Sequence, residues 1–191
     1  MQSVKRSFVV GALVALISLS CAAAELAGTV VGVTDGDTIT ILDAAQRIHE
    51  IRLANIDAPE TTCHMRQPGL ADDACVDHGQ PHAKEAKGTA MSMLYGRTVT
   101  VDLVEINKVA QKSYERDIGI VFENGVDVNY ELVKLGLAWH EKHYASKQQT
   151  IRAFVAYNLA ESTARTKHLG IWADPDPIPP WEWRHQRKYS R

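Results

Sequence analysis

The sequence predicts an α+β domain: strands come first, a helix follows three of them, two more strands follow, and helices close the chain. Three observations carry that expectation. Apolar residues alternate with polar ones on both sides of Asp35-Gly36-Asp37, small residues recur at helical spacing through 83–94, and β-branched runs return at 98–103 and 118–122. The 191 residues are 45% hydrophobic and 23% charged, an ordinary globular composition without internal repeats.

Taken in order, Val30, Val31 and Val33 and then Ile39, Ile41 and Leu42 flank Thr34-Asp35-Gly36-Asp37-Thr38, which predicts two antiparallel strands joined at an Asp-Gly turn. A third strand is expected at 48–54, with Ile48, Glu50, Arg52 and Ala54 on one face and His49, Ile51 and Leu53 on the other. It runs into the loop Asn55-Ile56-Asp57-Ala58-Pro59-Glu60. Segment 61–79 is rich in Pro, Gly, Asp and Cys and lacks either periodicity, so it reads as a surface insertion.

Pro81, the series Ala83, Ala86, Ala90, Met93 and Leu94, and then Gly96 punctuate a helix packed closely on the sheet. Two further strands are joined by the polar segment 107–116, and Glu123-Asn124-Gly125 forms a turn. A short helix is expected at 128–135, closed by Gly136. Ser146 with Gln149 reads as a capping box before a longer helix through Ile151, Phe154, Val155 and Leu159, ended by Gly170. The tail 175–183 carries four prolines and two tryptophans, which suits an extended strap, and 184–191 is a short basic end. Five strands fit a small barrel, a sandwich or an open sheet; periodicity does not choose among them.

Residues 1–24 are read apart from the fold. Lys5 and Arg6 precede an apolar run at 8–19, and Ala22-Ala23-Ala24 supplies the small residues of a cleavage site, so a cleaved secretory signal and export to the periplasm or medium are expected. Ser18-Leu19-Ser20 is a poor match to a lipoprotein anchor on Cys21. The whole chain has a formal charge of −2, and loss of Lys5 and Arg6 makes the mature charge about −4. A broadly basic nucleic-acid coat is excluded, and any polyanion site is local. In an oxidising compartment Cys63 and Cys75 are expected to pair as one disulfide pinning the insertion. The rival, a zinc site of Cys63, His64, Cys75 and His78, has a spacing that matches no common zinc motif.

Asp35-Gly36-Asp37-Thr38 alone is what a tight turn prefers, and acidic residues around Pro59 alone read as solvated. Arg52 on the preceding strand and Tyr114-Glu115-Arg116 at the head of a later one add two guanidinium groups to three carboxylates at strand ends. That set has a chemical use. Asp37, Asp57 and a loop carbonyl are suited to a hard cation such as calcium, which takes several oxygen ligands at about 2.3–2.6 Å. Arg52 and Arg116 suit the charge that gathers on a phosphodiester under attack, and Glu60 suits the base that deprotonates water.

The stretches 33–42 around Asp-Gly-Asp-Thr, Arg52-Leu-Ala-Asn-Ile-Asp-Ala-Pro-Glu60, Tyr114-Glu115-Arg116 before Gly119, and Val128-Asn129 through Leu135-Gly136-Leu137-Ala138 resemble the thermonuclease, or staphylococcal nuclease-like, family. The resemblance runs from about residue 30 to residue 172, with the motifs in the family's order. It implies an OB-fold barrel of five strands with about three packed helices, occupying 25–174. It further implies calcium-dependent hydrolysis of DNA and RNA that leaves 3′-phosphate ends. Asp37, Asp57 and the Ala58 carbonyl would hold the calcium ion, Glu60 would act on water, and Arg52 and Arg116 would stabilise the transition state. Tyr114 and Tyr144 match positions lining the nucleotide pocket, where aromatic faces stack on bases.

Two departures stand out: Glu115 where the family commonly has Gly, and Ser113 where a basic residue is often found. With the insertion at 61–79 beside the Glu60 loop, they bear on access and phosphate affinity. Trp139 and His140 read as structural, and His64, His78 and His82 as surface residues. The mature protein is expected to act as a monomer. The competing reading, a non-catalytic binding module of the same fold, would be favoured by loss of Glu60 or an Asp, and neither is lost.

Overall fold

The structure, a computed structural model, describes residues 25–61, 79–104 and 117–189. Three strands open it: β1 (Glu25–Asp35), β2 (Thr38–Asp43) and β3 (Ile48–Leu53), paired antiparallel in sequence order. A two-residue strand β4 (Ile56–Asp57) and helix α1 (Ala83–Leu94) precede β5 (Thr98–Leu103) and β6 (Asp117–Glu123). β5 pairs antiparallel with both β1 and β6, and β6 pairs parallel with β3, with Arg52 opposite Ile118. That last ladder closes five strands into a barrel. The architecture is the α+β OB-type barrel of the expectation, and the sandwich and open-sheet alternatives fall away.

Alternation fills the barrel. Val30, Val33, Ile39, Ile41, Ile51, Leu53, Val99, Val101 and Val121 point inward and are buried, while their neighbours face solvent or a covering helix. Ala86, Ala90 and Leu94 of α1 join the same core, so the small-residue face does bring the helix close to the sheet. A tight turn through Asn124 and Gly125, both at positive φ, leads into β7 (Val126–Asp127). Helix α2 (Val128–Lys134) begins at Asp127, whose side chain accepts a hydrogen bond from the Tyr130 N–H at 2.9 Å. Its Leu132 and Val133 are fully buried.

The C-terminal half departs from expectation in three places. Ser146 is no helix cap: it lies inside helix α3 (Lys142–Gln148), where its hydroxyl donates to the His143 carbonyl. Glu141 caps α3 through the His143 and Tyr144 N–H groups, and Thr150 caps helix α4 (Ile151–Thr166) by accepting from Ala153 N–H at 3.2 Å. α4 buries Tyr157, Ala160, Glu161 and Ala164, whereas Ile151, Val155 and Leu159 stand exposed along one side. Glu161 tolerates burial because Lys142 and Arg165 both reach its carboxylate. The third departure is the tail. After a 3₁₀ turn at Gly170–Ala173 the chain bends through 174–176 and runs on without regular structure to Pro179, and Pro180 opens helix α5 (Pro180–Tyr189), in the first turn where a missing N–H costs nothing. The described residues thus hold five α-helices rather than about three, and none is long and apolar enough to cross a membrane.

Trp139, Ala164, Ile171 and Trp172 make a second small core, with Trp139 and Trp172 edge to face at 5.3 Å. Trp139 and His140 form strand β8, which pairs antiparallel with β4 so that Asp57 lies opposite Trp139 and Ile56 opposite His140. This short ladder fixes the backbone of Asp57.

Candidate active site

The turn after β1, the end of β3 and the loop after β4 converge on one spot. Asp37 lies in the β1–β2 turn, Arg52 near the end of β3, and Asp57 at the end of β4. The Arg52 guanidinium joins the two acids: Nη1 donates to Asp37 Oδ1 at 3.1 Å and Nη2 to Asp57 Oδ1 at 2.6 Å. Both acidic residues are about 2% exposed. Ala58 N–H donates to Asp37 Oδ2 at 2.7 Å, so the loop that follows Asp57 is tied back to the turn.

Gly36 explains the turn's sequence in a way the Asp-Gly signal did not. Its φ is not positive; a Cβ there would sit 2.9 Å from the Ala58 Cβ and 2.9 Å from the Ala86 Cβ. Glycine is required because turn, loop and α1 touch at this residue. Asp35, on the other side, accepts from the Thr61 N–H at 3.2 Å and from the Thr61 hydroxyl, which holds the far end of the loop.

Glu60 lies on that loop with its side chain 15% exposed. Its backbone N–H donates to Gln80 Oε1 at 3.1 Å, while Gln80 Nε2 donates to the Ile178 carbonyl at 2.6 Å. One buried side chain therefore spans the Glu60 loop and the tail. From α5, Arg184 reaches the same place: Nη2 donates to Asp57 Oδ2 at 2.8 Å, Nη1 to Asp57 Oδ1 at 3.2 Å, and Nη1 also to Glu60 Oε1.

The cluster is an acidic pair under electrostatic repulsion, held by cations. Burial pushes the Asp37 carboxyl up to about 6; Arg52 works against that shift and the nearby Asp57 charge adds to it. Asp35 is also raised, chiefly by burial, with the Thr61 N–H opposing. Two buried carboxylates this close favour positive charge beside them, and hard oxygen donors favour a hard cation.

Of the residues singled out in the sequence, Asp37, Arg52, Asp57, Ala58 and Glu60 come together. Tyr144 takes no part in their hydrogen bonds; it is 59% exposed on α3, its ring edge-on to His143 at 5.1 Å. His140 is structural, buried with ring nitrogens toward Gln149 and Asn158. Tyr114, Glu115, Arg116, Cys63 and Cys75, and so the disulfide and zinc readings, lie outside the described residues. Sequence reasoning missed Arg184 and Gln80, which no local pattern marks. It also passed over the side chain of Asn129, although that residue was part of a recognised motif.

Comparison with known proteins agrees with this geometry. The family model described as staphylococcal nuclease homologue matches residues 50–174. A protein named an uncharacterized endonuclease from Escherichia coli O157:H7 is 32% identical over 165 residues, covering 86% of this chain and 88% of its own. A micrococcal nuclease from Shigella flexneri is 30% identical over 188 residues, covering 94% and 92%. A plant relative, the staphylococcal-like nuclease CAN1 of Arabidopsis thaliana, is 29% identical over 138 residues, 72% of this chain but 34% of its own. With the barrel, the paired acids and the bridging arginine in place, the chain belongs to the staphylococcal nuclease family.

Proposed function

We propose that the chain is an exported, calcium-dependent nuclease that cleaves DNA and RNA with little sequence preference and leaves 3′-phosphate ends. As a member of a nuclease family it is a phosphodiesterase. The observation that carries the finer reading is the Arg52 guanidinium spanning Asp37 and Asp57, with Glu60 on the adjoining loop. Among the described residues no three His, Cys, Asp or Glu side chains are arranged around a common point, so the fit to a cation rests on donor chemistry. Asp37 and Asp57 supply hard carboxylate oxygens and concentrated negative charge, and the Ala58 carbonyl is expected to complete the protein's share. When bound, calcium supplies positive charge against the phosphate and lowers the cost of forming hydroxide from water.

The protein's own groups account for the remaining work. Glu60 accepts the proton of the attacking water. As the new oxygen–phosphorus bond forms, the bond to the 5′ oxygen breaks; that oxygen departs and takes up a proton, and the phosphate stays on the 3′ side. Arg52 and Arg116 donate to the equatorial oxygens as charge builds there, an interaction stronger in the transition state than in the bound substrate. With an acidic net charge on the mature chain giving little long-range attraction to a polyanion, salt dependence is expected to reflect local contacts alone.

The test is cleavage of single- and double-stranded DNA by the chain from Glu25 in calcium, magnesium or chelator, beside Glu60→Ala. Calcium-dependent cleavage with 3′-phosphate products, reduced at least about 100-fold in the folded variant, is the expected result. Binding without cleavage by the folded wild type would replace this reading with the binding module.

A further inference from the structure

The tail does more than pass near the acidic cluster. Between them, the Arg52 and Arg184 guanidinium groups engage both oxygens of Asp57: Oδ1 accepts from Arg52 at 2.6 Å and from Arg184 at 3.2 Å, and Oδ2 accepts from Arg184 at 2.8 Å. Arg184 also engages Glu60 Oε1, the carboxylate that would accept a proton from water. A residue 127 positions from Asp57 in the chain is thus lodged between an acid suited to a cation and the candidate base.

We propose that Arg184 is an intramolecular competitor for the divalent cation, and that docking of α5 and cation binding exclude one another. The inference rests on the calcium reading given above. Arg52 takes only Oδ1 of Asp57 and leaves Oδ2 open, whereas Arg184 takes Oδ2, so a divalent ion there would meet the Arg184 guanidinium at contact distance with strong like-charge repulsion. While Arg184 is in place the Glu60 carboxylate is held as an ion-pair partner, so the docked tail describes a resting state. Arg52 differs in kind: it comes from the barrel wall, bridges both acids and has no hinge on which to leave.

The tail has the anchors such a device needs. Gln80 Nε2 holds the Ile178 carbonyl at 2.6 Å, His82 Nε2 lies 3.5 Å from Asp174 Oδ2, and the Trp181 ring meets Trp139 edge-on at 6.4 Å. Trp139 is itself the ladder partner of Asp57. Gln80 also holds the Glu60 N–H, so displacement of the tail and adjustment of the Glu60 loop pass through the same side chain. Coupling of this kind is reciprocal: whatever factor the tail takes from cation affinity, the cation takes from tail docking.

The test uses the chain from Glu25 to Arg191, as wild type, Arg184→Gln, which keeps much of the side chain's bulk and loses its charge, and Arg184→Lys, which keeps a charge without the fork. Far-UV circular dichroism checks the fold of each. Calcium affinity is measured by isothermal titration calorimetry, and tail release by the rate of tryptic cleavage within α5. Arg184→Gln is expected to bind calcium at least about fivefold more tightly than wild type, with Arg184→Lys between them. Calcium is expected to speed tryptic cleavage at Lys188 in wild type, and the Gln variant to be cleaved fast without it. Equal or weaker calcium binding by Arg184→Gln, with calcium-dependent DNA cleavage intact in wild type, overturns this proposal alone. Failure of every protein to bind calcium, with cleavage equally absent, overturns it together with the calcium reading.

Discussion

Asn129 and Ala54 lie 75 residues apart, and the Asn129 Nδ2 donates to the Ala54 carbonyl at 2.9 Å. The same amide donates to the Gly119 carbonyl at 3.2 Å and accepts from the Val121 N–H at 3.1 Å, in a fully buried position. One side chain on α2 thereby satisfies backbone groups of β6 and of the corner that leads to Asp57. Asn129→Leu would fill the space and remove this partner from the Val121 N–H and the Ala54 carbonyl, at about 1–3 kcal/mol for each buried group, while the Gly119 carbonyl keeps the Ala54 N–H at 2.8 Å. The variant is expected to unfold at clearly lower urea concentration. A midpoint equal to wild type would show that these hydrogen bonds add no net stability.

The raised pKa of Asp37 has a sign that can be checked in chelator. Its folded value of about 6 exceeds the ordinary value of 3.8, so the fold favours the protonated acid. The resulting stability is fully present below about pH 4 and is lost as pH rises through about 6. The loss at neutral pH is on the order of 2–3 kcal/mol. Urea unfolding of wild type and Asp37→Asn from about pH 4.5 to about 7.5 should give stability curves that diverge in the variant's favour as pH rises. Parallel curves would place the Asp37 pKa at its ordinary value.

Arg52→Lys is expected to abolish most activity while preserving charge. A single ammonium cannot span Asp37 Oδ1 and Asp57 Oδ1 as the two Nη groups do. Cleavage in calcium should fall by about 100-fold or more, with the far-UV spectrum of the barrel retained. Activity close to that of wild type would mean that charge alone is needed there.

Two glycines in the left-handed region separate conformational strain from steric conflict. At Gly125, with φ of 78°, a Cβ would meet nothing within 4 Å, and Gly125→Ala should cost about 1 kcal/mol. At Gly136, with φ of 74°, a Cβ would lie 2.3 Å from the Leu169 carbonyl oxygen, so Gly136→Ala should cost several times as much. Thermal melts of the two variants give the comparison; equal shifts would show that the contact between 136 and 169 relaxes freely.

The barrel was legible because its strands carry a period of two and α1 its small-residue face. Position 37 was legible for a different reason, through a motif rather than a pattern. The far end of the chain misled for identifiable reasons. Ser146 and Gln149 have cap-like spacing, yet Glu141 captures the preceding N–H groups first and the helix runs through Ser146. Pro175 lies in a bend at 174–176 and Pro177 and Pro179 in irregular chain, and Pro180 opens a helix instead of prolonging a strap. Arg184 was invisible because its ion pair with Glu60 spans 124 positions, and no periodicity reports such a distance. Arg116, Tyr114 and the two cysteines fall outside the described residues.

At Gly36 three backbones meet with no long side chain between them: the turn bearing Asp37, the loop following Asp57, and α1. Side chains are the compliant part of a protein interior, and here that layer is reduced to two methyl groups. The gap between the two acids is therefore gauged almost by main chain against main chain, and α1, which carries none of the chemistry, acts as the stop that sets it. On the calcium reading, a cation ill-matched to that gap would have to bend the barrel's own framework, so discrimination among ions of equal charge would be a property of stiffness rather than of ligand identity.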